Sequence, residues 1–387
     1  YTVEGFSTVT YKGTGVNPTY IGGTGYRPDL TWIKPRSTAD NHLLYDSVRG
    51  YDNQLKVNTT DAEDTNSRVA SANDGFTIKT TDANQNSASH TYVAWNWDMG
   101  ADTPTGFGCV TYDGTQRNLG VGGMNFSPDL LWIKRRSGAA EHSILDQVRG
   151  NRKFLSSDGD GAELDRGYLP SFDSDGFTVE PSVSNSNNQG DTYVAWGWDM
   201  GGTSVSNTTG DNNSTVRAST TYGQSVVSYS GSNNTKTVGH GLNSAPEMVI
   251  VKNRTDARWH RLVDSSRGVS KNLYSNETDA EGTEASVTAF NSDGFSLGTD
   301  TGSDGWNEDG DAHVAWQWKA NGGTTASNDD GSITTTVQAN QTAGFSIVEF
   351  TLPSSGDCKV EHGLGKAPEW IIARHATANS DKNVFHK

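Results

Sequence analysis

Tandem β-sandwich domains are what this sequence predicts. Three observations carry the prediction. A domain-sized set of motifs recurs in fixed order, apolar residues gather in short Val/Ile/Trp/Tyr/Phe runs between turn residues, and no useful length of chain keeps a helical period. The repeat step, read from Pro28 to Pro128, Pro246 and Pro368, is about 100 to 122 residues. That is too long for a solenoid repeat and suits a small domain. Six to eight short strands in such a length point to a sandwich of two sheets.

Each unit reads as the same succession of strands. It opens with an alternating segment: Gly5-Phe-Ser-Thr-Val-Thr-Tyr, Gly106-Phe-Gly-Cys-Val-Thr-Tyr, Ser225-Val-Val-Ser-Tyr and Gly344-Phe-Ser-Ile-Val-Glu-Phe. A Gly-rich loop then ends at a Pro. Proline has no N–H for a ladder, so it belongs at or just before a strand's first position. The run behind it, such as Leu30-Thr-Trp-Ile-Lys, is a buried strand. Next come Leu43-Leu-Tyr-Asp, Ser143-Ile-Leu-Asp and Arg261-Leu-Val-Asp, each closed by an Arg-Gly turn. Asp-Gly-Phe (Asp74, Asp175, Asp293) is a turn leading into a strand, with glycine free to take positive φ. The last strand is Tyr92-Val-Ala-Trp-Asn-Trp, Tyr193-Val-Ala-Trp-Gly-Trp or His313-Val-Ala-Trp-Gln-Trp. Strand alternation puts Val93, Trp95 and Trp97 on one face and Tyr92, Ala94 and Asn96 on the other. Trp95, Trp196 and Trp316 are therefore expected in the sandwich core.

These signals divide the chain into repeat 1 (1–100), repeat 2 (101–201), repeat 3 with a preceding linker strand (202–322), and a linker with a partial fourth repeat (323–387). Ser214-Thr-Val-Arg and Ser332-Ile-Thr-Thr-Thr-Val supply an extra strand before the third and fourth openings. Tyr1-Thr-Val-Glu is the remnant of the same strand in repeat 1. The chain begins inside a strand-like segment and stops soon after Trp370-Ile-Ile-Ala-Arg, so more polypeptide is expected at one or both ends. A half-built sandwich also exposes an edge and an apolar face, which invites association with other copies.

Composition narrows the function. A net charge of −16 argues against nucleic acid as a partner, because phosphate binding needs clustered Lys and Arg. No apolar run approaches the length of a membrane span, so no membrane insertion is expected. Cys109 and Cys358 fall in different units with no metal-ligand spacing around either.

Three residue sets are candidate sites. Asp46 with Arg49, Asp146 with Arg149 and Asp264 with Arg267 recur at one spacing. Tandem triplication favours structural pairs over catalytic bases, and no catalytic residue is assigned. The acidic loop from Asp304 to Asp311 offers hard oxygen ligands in Asp304, Asp309 and Asp311, which suit Ca²⁺ but match no EF-hand or RTX pattern. Trp97, Trp198 and Trp318 are either a sugar-stacking platform or cover for a sheet edge or a domain joint. Trp306, in that acidic loop without apolar neighbours, is the better candidate for a carbohydrate-binding aromatic.

The combination Pro128-Asp-Leu-Leu-Trp-Ile-Lys-Arg-Arg-Ser, Asp146-Gln-Val-Arg-Gly, Asp175-Gly-Phe-Thr and Tyr193-Val-Ala-Trp-Gly-Trp resembles repeated domains in structural proteins of tailed bacteriophages, especially marine and cyanobacterial phages. The resemblance covers nearly the whole chain. It implies concanavalin-like or jelly-roll sandwiches in a virion protein, and it carries no catalytic residues. The expectation is a non-enzymatic fibre, decoration or host-attachment component in a virion or on an extracellular surface. Its partners would be copies of itself, other virion proteins or a host-surface glycan. The alternatives are a glycan-degrading sandwich enzyme of a phage and a bacterial surface-layer or filament subunit.

Overall fold

The computed structural model describes residues 5–99, 106–166, 169, 171–181, 185–265, 267–300 and 305–319. Beyond these it describes Ser332, Val360 and the five strands named below. All regular structure among the described residues is β, and no helix is long and apolar enough to cross a membrane. The protein is an all-β chain of tandem repeats, with two sheets in each.

Repeat 1 shows the plan. Its strands are β1 (Phe6–Lys12), β2 (Thr19–Gly22), β3 (Leu30–Pro35), β4 (Leu43–Asp46), β5 (Leu55–Lys56), β6 (Val69–Ala72), β7 (Gly75–Ile78) and β8 (Thr91–Trp97). One sheet runs β1-β8-β3-β4-β5 and the other β2-β7-β6, all antiparallel. Pro28 stands two residues before β3, outside the ladder. Register is kept across repeats: Leu30 pairs with Trp97, Leu130 with Trp198 and Met248 with Trp318.

The Asp-Gly-Phe turn shows why its residues recur. A Cβ on Gly75 or Gly176 would lie 2.0 Å from the Ile21 or Val121 carbonyl oxygen, and both glycines take φ above 140°. The preceding carboxylates tie down the loop that enters β3 or its counterpart. Asp74 accepts from the amides of Gly23 and Gly25, and Asp175 from those of Gly123 and Asn125. In repeat 3, His240 performs this part instead, accepting from the Leu242 amide.

Repeat 3 gains the expected extra strand, Ser214–Ser219, together with Val205–Asn207. Both extend its large sheet beside Gln224–Ser230.

The three tandem repeats pack against one another. Residues 1–321 form one compact unit. Each repeat has a small core of its own between its two sheets, built in repeat 1 from Ile21, Ile33, Phe76, Ile78, Tyr92 and Ala94. A further core is shared by all three, and it takes Trp95, Trp196 and Trp316 with Trp97, Trp198 and Trp318. The alternation was therefore right, but the Trp face of the large sheet looks at the other repeats rather than into its own sandwich. Both faces of that sheet are covered, and β3 is buried at every residue.

Residues 322–387 form a second unit. It contains Ala326–Asn328, Thr335–Asn340 and Phe345–Phe350 as one antiparallel sheet, and Trp370–Ala373 paired with Asn383–His386. The first three reproduce the order of the extra strands and opening strand of repeat 3. The remnant Tyr1–Glu4 and, apart from these strands, most of the partial fourth repeat lie outside the described residues.

Candidate functional site

The recurring polar residues meet at the joints between repeats, and they do so cyclically. Trp95 Nε1 of repeat 1 donates to Asp264 of repeat 3 (3.2 Å), Trp196 of repeat 2 to Asp46 of repeat 1 (3.0 Å), and Trp316 of repeat 3 to Asp146 of repeat 2 (3.1 Å). One kind of contact, used three times, returns to its start. The three repeats thus close a pseudo-threefold ring within one chain.

The sequence-predicted pairs are the anchor of each joint. Arg49 Nε donates to Asp46 at 2.6 Å, Arg149 to Asp146 at 2.5 Å and Arg267 to Asp264 at 2.6 Å, with all six side chains buried. The other oxygen of each carboxylate accepts the backbone amide of its Arg, closing the turn. Each guanidinium lies over the indole that the neighbouring repeat delivers: Arg49 over Trp196, Arg149 over Trp316 and Arg267 over Trp95. Each buried carboxylate thus accepts from an arginine, from its own turn amide and from an indole N–H of the neighbouring repeat, so both of its oxygens are held.

A second layer of each joint was not foreseen. Glu63 joins Arg49 to Arg136 of repeat 2, Glu163 joins Arg149 to Arg254 of repeat 3, and Glu281 joins Arg267 to Arg36 of repeat 1. Although burial works against ionisation, the paired arginines hold all three glutamates below their usual range. The lysines of the Trp-Ile-Lys and Ile-Val-Lys motifs are buried too. Lys34, Lys134 and Lys252 donate to the Thr278, Thr60 and Asp160 carbonyls across the joints. Burial lowers the first two to about 8 and Lys252 to about 7. The signal for these was visible: a Lys ending an otherwise apolar strand, three times over.

Histidine and tryptophan make a third link, present in two joints only. Trp32 Nε1 donates to His42 Nδ1 (2.9 Å) and Trp132 to His142 Nδ1 (2.8 Å). The far ring nitrogens then donate to the Tyr274 and Lys56 carbonyls of the next repeat. Burial, with the nearby lysine, keeps both histidines well below their usual range and so neutral. In repeat 3 the Trp is replaced by Ile250, and His260 has no hydrogen-bond partner at either nitrogen.

On the axis, Trp97, Trp198 and Trp318 stand edge to face, with centroids 6.0, 5.9 and 5.9 Å apart. All three are buried, as is Trp306 at 4% exposure. The sugar-stacking assignment of these four indoles is therefore corrected: no pyranose can reach their faces. Trp306 sits under repeat 3, where the Arg261 guanidinium covers its ring at 4.1 Å. An acidic loop looked exposed because its apolar neighbours, such as Tyr229 and Phe295, come from distant strands. Among the described residues the exposed indole is instead Trp259, at 44%, standing edge-on to Tyr274.

Of the three candidate Ca²⁺ ligands, Asp304 lies outside the described residues. Asp309 is exposed, and Asp311 gathers with Glu308 and Asp256. Those carboxylates are met by protein donors: Arg258 reaches Glu308 at 3.0 Å and Asn253 reaches Asp311 at 2.7 Å. The Cys109 thiol is buried, which pushes its pKa up, as does the neighbouring Asp46; it is no nucleophile.

The family model described as "Domain of unknown function (DUF7483)" matches residues 2–106, 102–258 and 251–387. The third match runs from the Pro strand of repeat 3 into the second unit. No curated protein and no solved structure matches the chain.

Proposed function

This chain belongs to the DUF7483 family, and from that premise we propose that it is a non-enzymatic structural and adhesion protein of a virus particle. The observation that carries the reading is the use made of its recurring polar residues. Five charged positions that recur in the three repeats, those of Lys34, Arg36, Asp46, Arg49 and Glu63 in repeat 1, are spent on closing the ring, while Asp74 and Asp175 tie down a loop of their own repeats. The result suits a stiff building block. The motif resemblance to tailed-phage repeats gives the setting, a virion or extracellular surface, with copies of the chain or other virion proteins as partners. Trp259, exposed in repeat 3 alone, where repeats 1 and 2 have Asn41 and Glu141, is the best-placed aromatic for a neutral host-surface glycan. An acidic surface disfavours anionic ligands there.

Immunogold labelling of purified particles from a phage that encodes this chain tests the reading. Label at a fixed position on intact particles is expected. Absence of the chain from such particles, or release of reducing ends from polysaccharide by the purified protein, would overturn it.

A further inference from the structure

Repeat 3 differs from the other two at one place, where Trp259, Arg261, Tyr274, Glu284 and Trp306 touch in series. The Trp259 ring meets that of Tyr274 at 4.9 Å. The Arg261 guanidinium lies over the rings of Tyr274 (5.0 Å) and Trp306 (4.1 Å). Arg261 also donates to Glu284, as does the Tyr274 hydroxyl at 3.4 Å. At the equivalent positions repeat 1 has Asn41, Leu43, Lys56, Asn66 and Gln85. None of the five side chains takes part in the joint contacts described above.

Repeat 2 shows that the two outermost positions of the series are neighbours. Its counterparts of Trp259 and Glu284 are Glu141 and Arg166, which close on each other in an ion pair of 3.2 Å. In repeat 3 an indole and a carboxylate stand there instead, and neither neutralises the other. Trp259 is exposed, and among the described residues nothing accepts from its Nε1–H. The Glu284 side chain is 41% exposed, while that of Arg261 is buried and holds the carboxylate from the protein side. A carboxylate has about four lone-pair sites, and Arg261 and Tyr274 supply one proton each, so acceptor capacity remains toward solvent.

We infer that Trp259 and Glu284 form a binding site for a neutral pyranose bearing a vicinal diol, present in repeat 3 alone of the three. The inference rests on the adhesion reading above and gives it a ligand chemistry. The C–H face of such a sugar lies on the indole, a large rigid surface that loses little freedom on contact. Two adjacent hydroxyls donate to the carboxylate in charge-assisted bonds, and a sugar oxygen accepts from the indole N–H. A uronic or sialic acid would set a second carboxylate against Glu284 in a chain of net charge −16. Arg261 cannot receive that acid, because its guanidinium is covered by two rings and already paired. A single shallow site gains strength only when several copies of the chain act together.

Saturation-transfer NMR on the full chain tests this. The probes are neutral disaccharides of glucose, galactose, mannose and N-acetylglucosamine, with digalacturonate as the anionic counterpart. Transfer to the ring C–H protons of at least one neutral sugar is expected, and none to digalacturonate. Trp259→Ala should abolish the transfer with Tm unchanged. Glu284→Gln keeps the platform and should raise Kd about tenfold or more, the effect of losing a hydrogen bond to a charge. Silence from every neutral sugar, transfer that survives Trp259→Ala, or equal transfer to digalacturonate would overturn the inference. Each of these leaves the immunogold result on particles untouched. A chain that binds the sugar but is absent from particles would sink the virion reading and keep the site.

Discussion

At the scale of single residues, the joint depends on a carboxylate that serves two repeats at once. Asp46 holds its own turn through Arg49 and receives Trp196 from the neighbouring repeat. Removing one member of such a buried set leaves the others without partners, which typically costs about 3–5 kcal/mol. Trp196→Phe keeps an aromatic ring in place but loses the N–H together with part of the indole's volume. In a double-mutant cycle with Asp46→Asn, the two sites, 150 residues apart in sequence, should couple by about 1–3 kcal/mol, the range for residues in one hydrogen-bond network. Denaturant melts of the four proteins measure it, and additive effects would deny the joint its energetic role. Trp259→Ala, by contrast, should change stability by no more than about 0.5 kcal/mol, as surface substitutions do.

At the scale of strands and turns, most of the fold was legible. Proline and Gly-rich punctuation marks where strands begin, and the Asp-Gly-Phe signature places its glycine in a turn without reference to the contact that demands it. That contact makes a prediction. Gly176→Ala adds a Cβ at 2.0 Å from the Val121 carbonyl oxygen, on backbone with φ of 147°. A destabilisation of at least about 1–3 kcal/mol is expected from the backbone strain alone, measurable as a lower denaturation midpoint. What the strands did not reveal was which side of each sheet faces what. Alternation sorts residues onto two faces without naming the cover for either, so Trp95 was rightly buried and wrongly housed. The Trp32–His42 link escaped for a related reason. Its partners are ten residues apart, the Trp on one strand and the His just before the next, and the recurrence of that spacing at Trp132 and His142 was the available clue. Trp306 misled because a local window cannot see strands that arrive from elsewhere in the chain.

At the scale of the whole molecule, a core common to three repeats predicts one cooperative event. Calorimetry of the chain should show residues 1–321 melting in a single transition, with calorimetric and van't Hoff enthalpies in agreement. Three separate transitions would mean the joints are weak. The buried lysines set the pH dependence. Their folded-state values near 7 to 8 lie below the 10.5 of a free lysine. Between these limits the unfolded chain binds more protons than the folded one, so stability rises with pH. The depressed glutamates and histidines act in the same direction at lower pH, since their stabilising state is lost on acidification. Tyr11, Tyr112 and Tyr229, all raised by burial, reverse the trend where free tyrosines ionise. The melting temperature should therefore climb from pH 5 to about 9 and fall above about 10. A flat profile from 7 to 9 would show that the lysines are not held as described.

The closed cycle of Trp-to-Asp contacts has a consequence for how such a gene can change length. Each repeat presents a giving side, with its Trp, Lys and Arg, and a receiving side, with its Asp and Glu. The angle between the two sides closes after three. A chain trimmed of residues 106–201 would keep one of each side unmatched, and no fold of two repeats can bring them together at that angle. Three such chains hold six repeats, enough for two complete rings with members exchanged between chains. Light scattering of the trimmed protein should accordingly find trimers rather than a shortened monomer. Copy number in this architecture counts by threes, so the loss of one repeat turns a chain whose ring closes on itself into one whose ring closes only with other copies.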